Sequence, residues 1–227
     1  MTKIKSMDLF WQALLDYSIW KESAFFLVDE EWNKHEQDLS WYFRNSLEQF
    51  DNIEKTLIKN SAWKKLLDIG SATWYYFKFL KTDTENVQWT DISPNAILAA
   101  KNIWVNNIIE FDVMKNILDD KYDIITLMWN NLSIGGSIPW AKKLIWNLKK
   151  MLTDNGRILS VFRKEEDQNY FVSEFQCEYQ WQRSDYFNWI RININFLEKI
   201  LFGFDMRLKI LSENDYGYCL EIRNLMF

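Results

Sequence analysis

Apolar residues recur at helical spacing near the start of the chain: Leu9, Phe10, Ala13, Leu14 and Tyr17 share one side of a 3.6-residue period. The apolar run 25–28, an acidic break over 29–34 and a polar exit predict a short extended hairpin. In SWYFRNSLEQFDNIEKTLIKN, residues Phe43, Leu47, Phe50, Ile53 and Leu57 fall on one face, which predicts a second helical stretch packed into the core. From residue 63 the period shortens. KKLLDIG (64–70), VQWTDIS (87–93), NIIEFDV (107–113), YDIITLM (122–128) and GRILSVFR (156–163) read as strands. Helical patterns lie between them at about 74–82, at 94–103 with Ser93 as N-cap and Pro94 at the first position, and in IPWAKKLIWNLKKMLTD, closed by a turn at Asn155-Gly156.

That alternation predicts an α/β fold: a Rossmann-like, doubly wound, mostly parallel sheet with helices on both faces and right-handed crossovers. Residues 164–196 are different, polar and then aromatic and alternating, and predict a small β insertion outside the parallel sheet. NFLEKILFGF is a helix stopping near Gly203, and MRLKILSEN with GYCLEIRN closes the chain as an antiparallel strand pair at the sheet edge, giving seven strands in all. The expected organisation is a helical N-terminal extension over 1–60 and one catalytic-type domain over 61–227 that carries the aromatic insertion at about 164–196.

Composition narrows the function classes. In 227 residues, 48% are hydrophobic and 26% charged, ordinary for a globular chain, and no apolar run approaches the ~20 residues of a membrane helix. The N-terminus has no signal-peptide pattern, so a cytoplasmic protein is expected. A net charge of −5 argues against a nucleic-acid binder. Cys177 and Cys219 lack zinc spacing, and a single histidine, His35, expected on the surface, leaves no His-based triad or metal site. One count is abnormal: 13 Trp against 6 Gly, where about 16 Gly are expected at the usual ~7%.

The chemistry concentrates in LLDIGSATW (66–74) and VQWTDISPNAI (87–97). A strand that runs into Gly70 and opens a helix puts backbone N–H groups at the carboxyl edge of the sheet, where doubly wound folds bind ligands. The second strand ends at Asp91, 21 residues later, where a carboxylate suits ribose hydroxyls, and the third ends at Asp112, beside the place of an adenine amino group. Acids at or near three successive strand ends, Asp68, Asp91 and Asp112, point to a nucleoside-bearing cofactor rather than to solvated termini.

These residues resemble the class I S-adenosylmethionine-dependent methyltransferases. LLDIGSATW is similar to that family's first motif, Asp91 in TDISPNAI to its ribose acid, FDV (111–113) to its adenine segment, and YDIITLMWNNLSIGG (122–136) to its fourth strand and the loop beside the transferred methyl group. The loop and the aromatic segment before RININ look like a little-characterised bacterial subgroup with Gly-Asn-Asn-Leu in that loop. The resemblance implies S-adenosyl-L-methionine as cofactor, held by Asp68, Gly70, Ser71, Ala72, Trp74, Asp91, Ile92, Asp112, Val113, Trp129 and Asn130. It further implies no invariant catalytic residue. The acidic balance favours a metabolite or a protein side chain as methyl acceptor, and a small molecule is expected near Asn131, Tyr179 and Arg191, with no metal. The aromatic insertion either covers the acceptor or pairs with another subunit.

Departures from the family pattern are as informative. Its Gly-x-Gly-x-Gly turn is Gly70, Ala72 and Trp74 here. Its glycine two residues before the ribose acid is Trp89, a glycine after the following helix is Trp104, and the subgroup's loop glycine is Trp129. Close approach and positive φ are what such positions need, and tryptophan supplies neither. Some bacterial lineages decode UGA as glycine, and reading that codon as tryptophan produces this pattern. Trp63, Trp74, Trp89, Trp104 and Trp129 are the first candidates and Trp32 and Trp181 the next, whereas Trp11 and Trp41 suit ordinary tryptophan. Two other readings compete. A nicotinamide-dependent oxidoreductase shares the strand–Gly–acid spacing but needs Gly-x-Gly-x-x-Gly, absent here even with glycine at 74. A non-catalytic methyltransferase-like module gains if the tryptophans are genuine.

Overall fold

The computed structural model describes residues 7–21, 24–62, 64–73, 76–80, 82–105, 107–129, 131–133 and 135–225. Strands β3 (Leu66–Ile69), β4 (Val87–Asp91), β5 (Ile108–Glu110), β6 (Tyr122–Leu127), β7 (Leu152–Arg163), β11 (Met206–Glu213) and β12 (Gly217–Asn224) form one seven-stranded sheet in the order β11-β12-β7-β6-β3-β4-β5. The pairs β3–β4, β3–β6, β4–β5 and β6–β7 are parallel, and β12 joins β7 and β11 antiparallel. All four residues of β3 are buried, as is expected of a central strand covered on both faces.

Helices supply the two covers. On one face α4 (Ile138–Met151) and α5 (Ile194–Phe202) lay Leu144, Leu148, Leu197 and Leu201 against Leu67, Ile125 and Leu127. On the other, α2 (Asn52–Asn60) and α3 (Pro94–Asn102) lay Ile53, Leu57, Ile97 and Ala100 against Leu66, Trp89, Ile124 and Val161. The start of α3 is as expected: the Ser93 side chain accepts the Ala96 N–H at 3.2 Å, with Pro94 in the first turn.

A second sheet stands apart. Strands β1 (Phe25–Asp29), β2 (Lys34–Glu36), β8 (Tyr170–Tyr179) and β10 (Phe187–Ile192) run in the order β10-β8-β1-β2, with the short β9 (Gln182–Arg183) on β8. Helix α1 (Asp8–Ser18) packs on this sheet through Leu9, Ala13, Leu14, Phe25, Cys177 and Tyr179, and Ala72 of the main domain joins the same cluster. The β insertion therefore pairs with the hairpin of the N-terminal extension, which is not purely helical.

Three expectations are corrected. The second helical stretch divides into two 3-10 turns, Leu39–Phe43 and Leu47–Gln49, and α2, because Ser46 and Asp51 each close a capping box, with Gln49 and with Glu54. Within the segment expected as helix over 74–82, the described residues show one 3-10 turn, Phe77–Phe79. Strand β7 starts at Leu152 and absorbs Asn155-Gly156: its pairing with β6 shifts register between Tyr122 and Ile124, and a Cβ on Gly156 would lie 2.9 Å from the Tyr122 carbonyl. No helix among the described residues is long and apolar enough to cross a membrane.

Candidate cofactor site

The carboxyl ends of β3 and β4 are tied together before any ligand is considered. The N–H groups of Gly70 and Ser71 both donate to the Thr90 carbonyl at 3.0 Å, and the Thr90 hydroxyl donates to the Asp68 carbonyl at 2.7 Å. Ser71 is buried, and its hydroxyl lies 3.1 Å from both the N–H and the carbonyl of Thr90, so this side chain closes the turn instead of facing a ligand. Gly70 stands at φ +70°, and a Cβ there would meet Asn131 Nδ2 at 2.7 Å. Glycine is required at that point both for the left-handed backbone and for the close approach.

Asp68 is 1% exposed. Its Oδ1 accepts the Thr126 hydroxyl at 2.6 Å and the Tyr76 hydroxyl, while Oδ2 is buried with no hydrogen-bond partner among the described residues. Burial pushes its carboxyl up to about 6 against the opposing effect of those hydroxyls. Tyr76 and Thr126 were not singled out by sequence. Their signal is weak: Tyr76 lies in the turn before the Phe77–Phe79 3-10 turn and Thr126 is a polar residue within the apolar run of β6.

Asp91 is also buried. Its Oδ2 accepts the Ala72 N–H and its Oδ1 the Ser93 N–H, both at 2.9 Å, and desolvation raises its pKa while those N–H groups oppose the rise. Ala72 stands at φ +49°, the left-handed conformation that the missing second glycine of the turn would adopt. Ile92 beside it is half exposed, at 44%. The Phe111 N–H donates to the Asp91 carbonyl at 2.9 Å, which brings Asp112 to the same edge. The Asp112 carboxylate accepts the Met114 N–H and pairs with Lys115 at 3.0 Å. Val113 is a core residue, and its carbonyl accepts from Asn147 Nδ2 at 2.7 Å.

The loop after β6 completes the edge. Asn131 Nδ2 donates to the carbonyls of Ile69 and Gly70 at 2.8 and 3.1 Å, so this amide nitrogen braces the glycine turn. The Trp129 indole turns away toward α2, where Nε1 donates to Glu54 Oε1 at 2.6 Å and the ring stacks on Tyr216 at 6.1 Å. Glu54 is fully buried and holds Arg44 through two hydrogen bonds of 2.6 and 2.9 Å. Trp74 and Asn130 lie outside the described residues.

The two residues expected on the acceptor side inside the insertion separate. Tyr179 is 2% exposed beneath α1, its hydroxyl held by Asp16 at 3.0 Å, so burial removes it from any open surface. Arg191 is partly exposed, lies over the Phe171 ring and faces Glu165 at 3.7 Å. What the insertion does touch is the loop after β6: a Cβ on Gly136 would lie 2.5 Å from the Asn188 carbonyl of β10. From the other side, the Thr73 hydroxyl donates to the Tyr42 carbonyl. The N-terminal extension and the insertion thus roof the edge that holds Asp68 and Asp91. His35 lies on the β1–β2 hairpin, 2.9 Å from Asp29. Both cysteines are buried and unpaired with each other, their thiols pushed up to about 12 by burial. Among the described residues there is no group of three or more His, Cys, Asp or Glu able to hold a metal ion.

No protein-family model matches the chain, and no curated protein sequence matches it. Solved structures do. A SAM-dependent methyltransferase from Bacteroides fragilis in complex with S-adenosyl-L-homocysteine superposes with a TM-score of 0.82 over 96% of this chain and 95% of that one, at 18% identity. The glycopeptide N-methyltransferase MtfA gives 0.58 over 78% and 91% at 8% identity. SAM-bound CalS10, an amino pentose methyltransferase from Micromonospora echinaspora, gives 0.51 over 75% and 86% at 12% identity. The sheet order, the antiparallel closing pair and these superpositions give one conclusion: the chain has the fold of the class I S-adenosylmethionine-dependent methyltransferases.

Proposed function

We propose that the protein binds S-adenosyl-L-methionine across the carboxyl ends of β3 and β4 and transfers its methyl group to a small-molecule acceptor. The observation that carries this reading is the pair of buried acids, Asp68 and Asp91, at adjacent strand ends of a fold that superposes along nearly its whole length on a structure holding S-adenosyl-L-homocysteine. The residues present suit the cofactor. Asp68 Oδ2, buried and without a hydrogen-bond partner among the described residues, is an acceptor for an ammonium group, and two hydroxyls already fix the orientation of its carboxylate. Asp91 is fixed by two backbone N–H groups, and each of its oxygens keeps a second lone pair for ribose hydroxyls. Asp112 and Ile92 border the adenine end, and Asn131, which braces Gly70, lies on the loop at the methyl end.

Bound S-adenosylmethionine supplies an activated methyl group on a sulfonium leaving group. The protein's own task is to bind, orient and exclude water, and the roof of α1, the 3-10 turns and the second sheet serves that end. A small acceptor agrees with the net charge of −5 and with the glycopeptide and amino pentose named for two of the similar structures. Calorimetric titration with S-adenosyl-L-homocysteine and, separately, with NAD tests the reading. Saturable binding of the first alone supports it, binding of NAD alone replaces it with a dinucleotide enzyme, and binding of neither leaves a module without a nucleoside cofactor.

A further inference from the structure

Eight described non-glycine residues have positive φ, and five of them are tryptophan: Trp20, Trp32, Trp104, Trp129 and Trp181. Tryptophan is 13 of 227 residues, and bulky side chains are genuine outliers in this region, so chance does not give that share. Four of the five occupy turn geometries whose residue preference is glycine.

Helix α1 ends in a paired arrangement in which the Trp20 N–H donates to the Tyr17 carbonyl at 3.0 Å and the Lys21 N–H to the Asp16 carbonyl at 2.9 Å. Trp20, at φ +63°, holds the left-handed position of that motif. Helix α3 ends identically. The Trp104 N–H donates to Lys101 at 3.0 Å and the Val105 N–H to Ala100 at 3.1 Å, with Trp104 at φ +72°. Glycine is the usual residue at both sites because it lacks a Cβ. In the β1–β2 hairpin the Trp32 N–H donates to the Asp29 carbonyl at 3.0 Å and the Asp29 N–H to Asn33 at 3.1 Å, with Trp32 at φ +67°. That is a three-residue connection closed by a left-handed residue, again a glycine site. Tyr179 pairs with Gln182 across a two-residue turn in which Gln180 and Trp181 both have positive φ, at 47° and 65°, the turn for which Asn-Gly is the favoured pair.

The indoles gain little in return for the strained backbone. Trp20, Trp104 and Trp181 are 89%, 89% and 99% exposed, and Trp32 is 62% exposed, with the Arg183 guanidinium over its ring. Trp129, at φ +35°, is the exception in having found partners in Glu54 and Tyr216. Trp89 marks the limit of the argument: it is a fully buried core residue of β4 without positive φ, so the backbone makes no case for glycine there. Trp63 and Trp74 lie outside the described residues.

We propose that positions 20, 32, 104, 129 and 181 are glycine in the protein as its own cell makes it, specified by UGA codons that this cell reads as glycine. A polypeptide carrying tryptophan at these positions is then a translation under the wrong code. The inference stands on backbone geometry and does not depend on the methyltransferase reading. Its test is the nucleotide sequence of the gene together with mass spectrometry of peptides from the protein isolated from its source cell. UGA at these positions with glycine in the peptides is the expected result. UGG codons, or UGA with tryptophan in the peptides, would overturn it. A second measurement uses the recombinant chain. Replacing the four exposed residues together, Trp20→Gly, Trp32→Gly, Trp104→Gly and Trp181→Gly, relieves a disfavoured conformation at each and is expected to raise the melting temperature by roughly 5–15 °C. An unchanged or lower melting temperature would show that the turns do not demand glycine.

Discussion

The two sheets of this protein handle charge in opposite ways. At the end of the seven-stranded sheet the acids are withdrawn from water: Asp68, Asp91 and the nearby Glu54 are 1%, 4% and 0% exposed, each held by backbone N–H groups, hydroxyls or a guanidinium. In and around the second sheet each ion pair keeps one partner in water, even where the other, such as Glu178, is buried. Lys34 and Arg183 flank Glu178, His35 pairs with Asp29, and Arg191 faces Glu165, mostly with one partner well solvated. Buried acids are costly unless fixed, and once fixed they are oriented before a ligand arrives. In the proposed function recognition belongs to the main sheet edge and cover to the second sheet.

Substitutions in the two regions sharpen that contrast. The largest effect is expected at Glu54. Glu54→Ala leaves the buried Arg44 guanidinium without its carboxylate and should cost about 3–5 kcal/mol of stability, read by denaturant unfolding. Asp68→Asn should act the other way. The Asp68 carboxyl titrates near 6 in the folded protein and near 3.8 when free. Between those values the folded state holds the extra proton, so stability falls as pH rises from about 4 to about 6 and is flat above. The amide removes that slope, stabilises the ligand-free protein at pH 7 by about 2–3 kcal/mol, and weakens binding of S-adenosyl-L-homocysteine. A variant that binds as tightly as the parent would take Asp68 out of the site.

Smaller effects belong to the cover. Tyr179→Phe loses the bond to Asp16 and should cost about 0.5–1.5 kcal/mol without changing cofactor affinity. A changed affinity would return Tyr179 to the site. Arg191→Ala removes a 3.7 Å ion pair in which the guanidinium is solvated and the Glu165 side chain is only 8% exposed, and should cost about 0.2–1 kcal/mol without changing cofactor affinity, so a further loss of turnover would mark contact with the acceptor.

Much of the main sheet is legible in the sequence because each strand is a short apolar run bounded by a turn or a cap, as LLDIG and the Ser93-Pro94 start of α3 illustrate. The three acids are legible for the same reason, since they sit where runs end. The second sheet is not. Leu27 pairs with Cys177 across most of the chain, and nothing local in either segment encodes that partner. Nor does sequence reveal that Asn131 Nδ2 donates to the carbonyls of Ile69 and Gly70, or that Tyr76 and Thr126 fix Asp68, because each is a tertiary contact of a residue type that also serves on surfaces. Family pattern picks out Trp104 and Trp129 as misplaced, and backbone geometry adds Trp20, whose helix end carries no recognisable motif residue.

In the proposed function Asp91 is a ligand-binding acid rather than a strand cap. Its direct test is calorimetric titration of S-adenosyl-L-homocysteine into the chain carrying glycine at 20, 32, 104, 129 and 181, and into the same chain with Asp91→Ala. One saturable site is predicted, weakened by about 30- to 150-fold in the variant, the equivalent of about 2–3 kcal/mol for charge-assisted bonds to ribose. Equal affinity in the two proteins, or no binding by either, would contradict the assignment of this edge as the cofactor site.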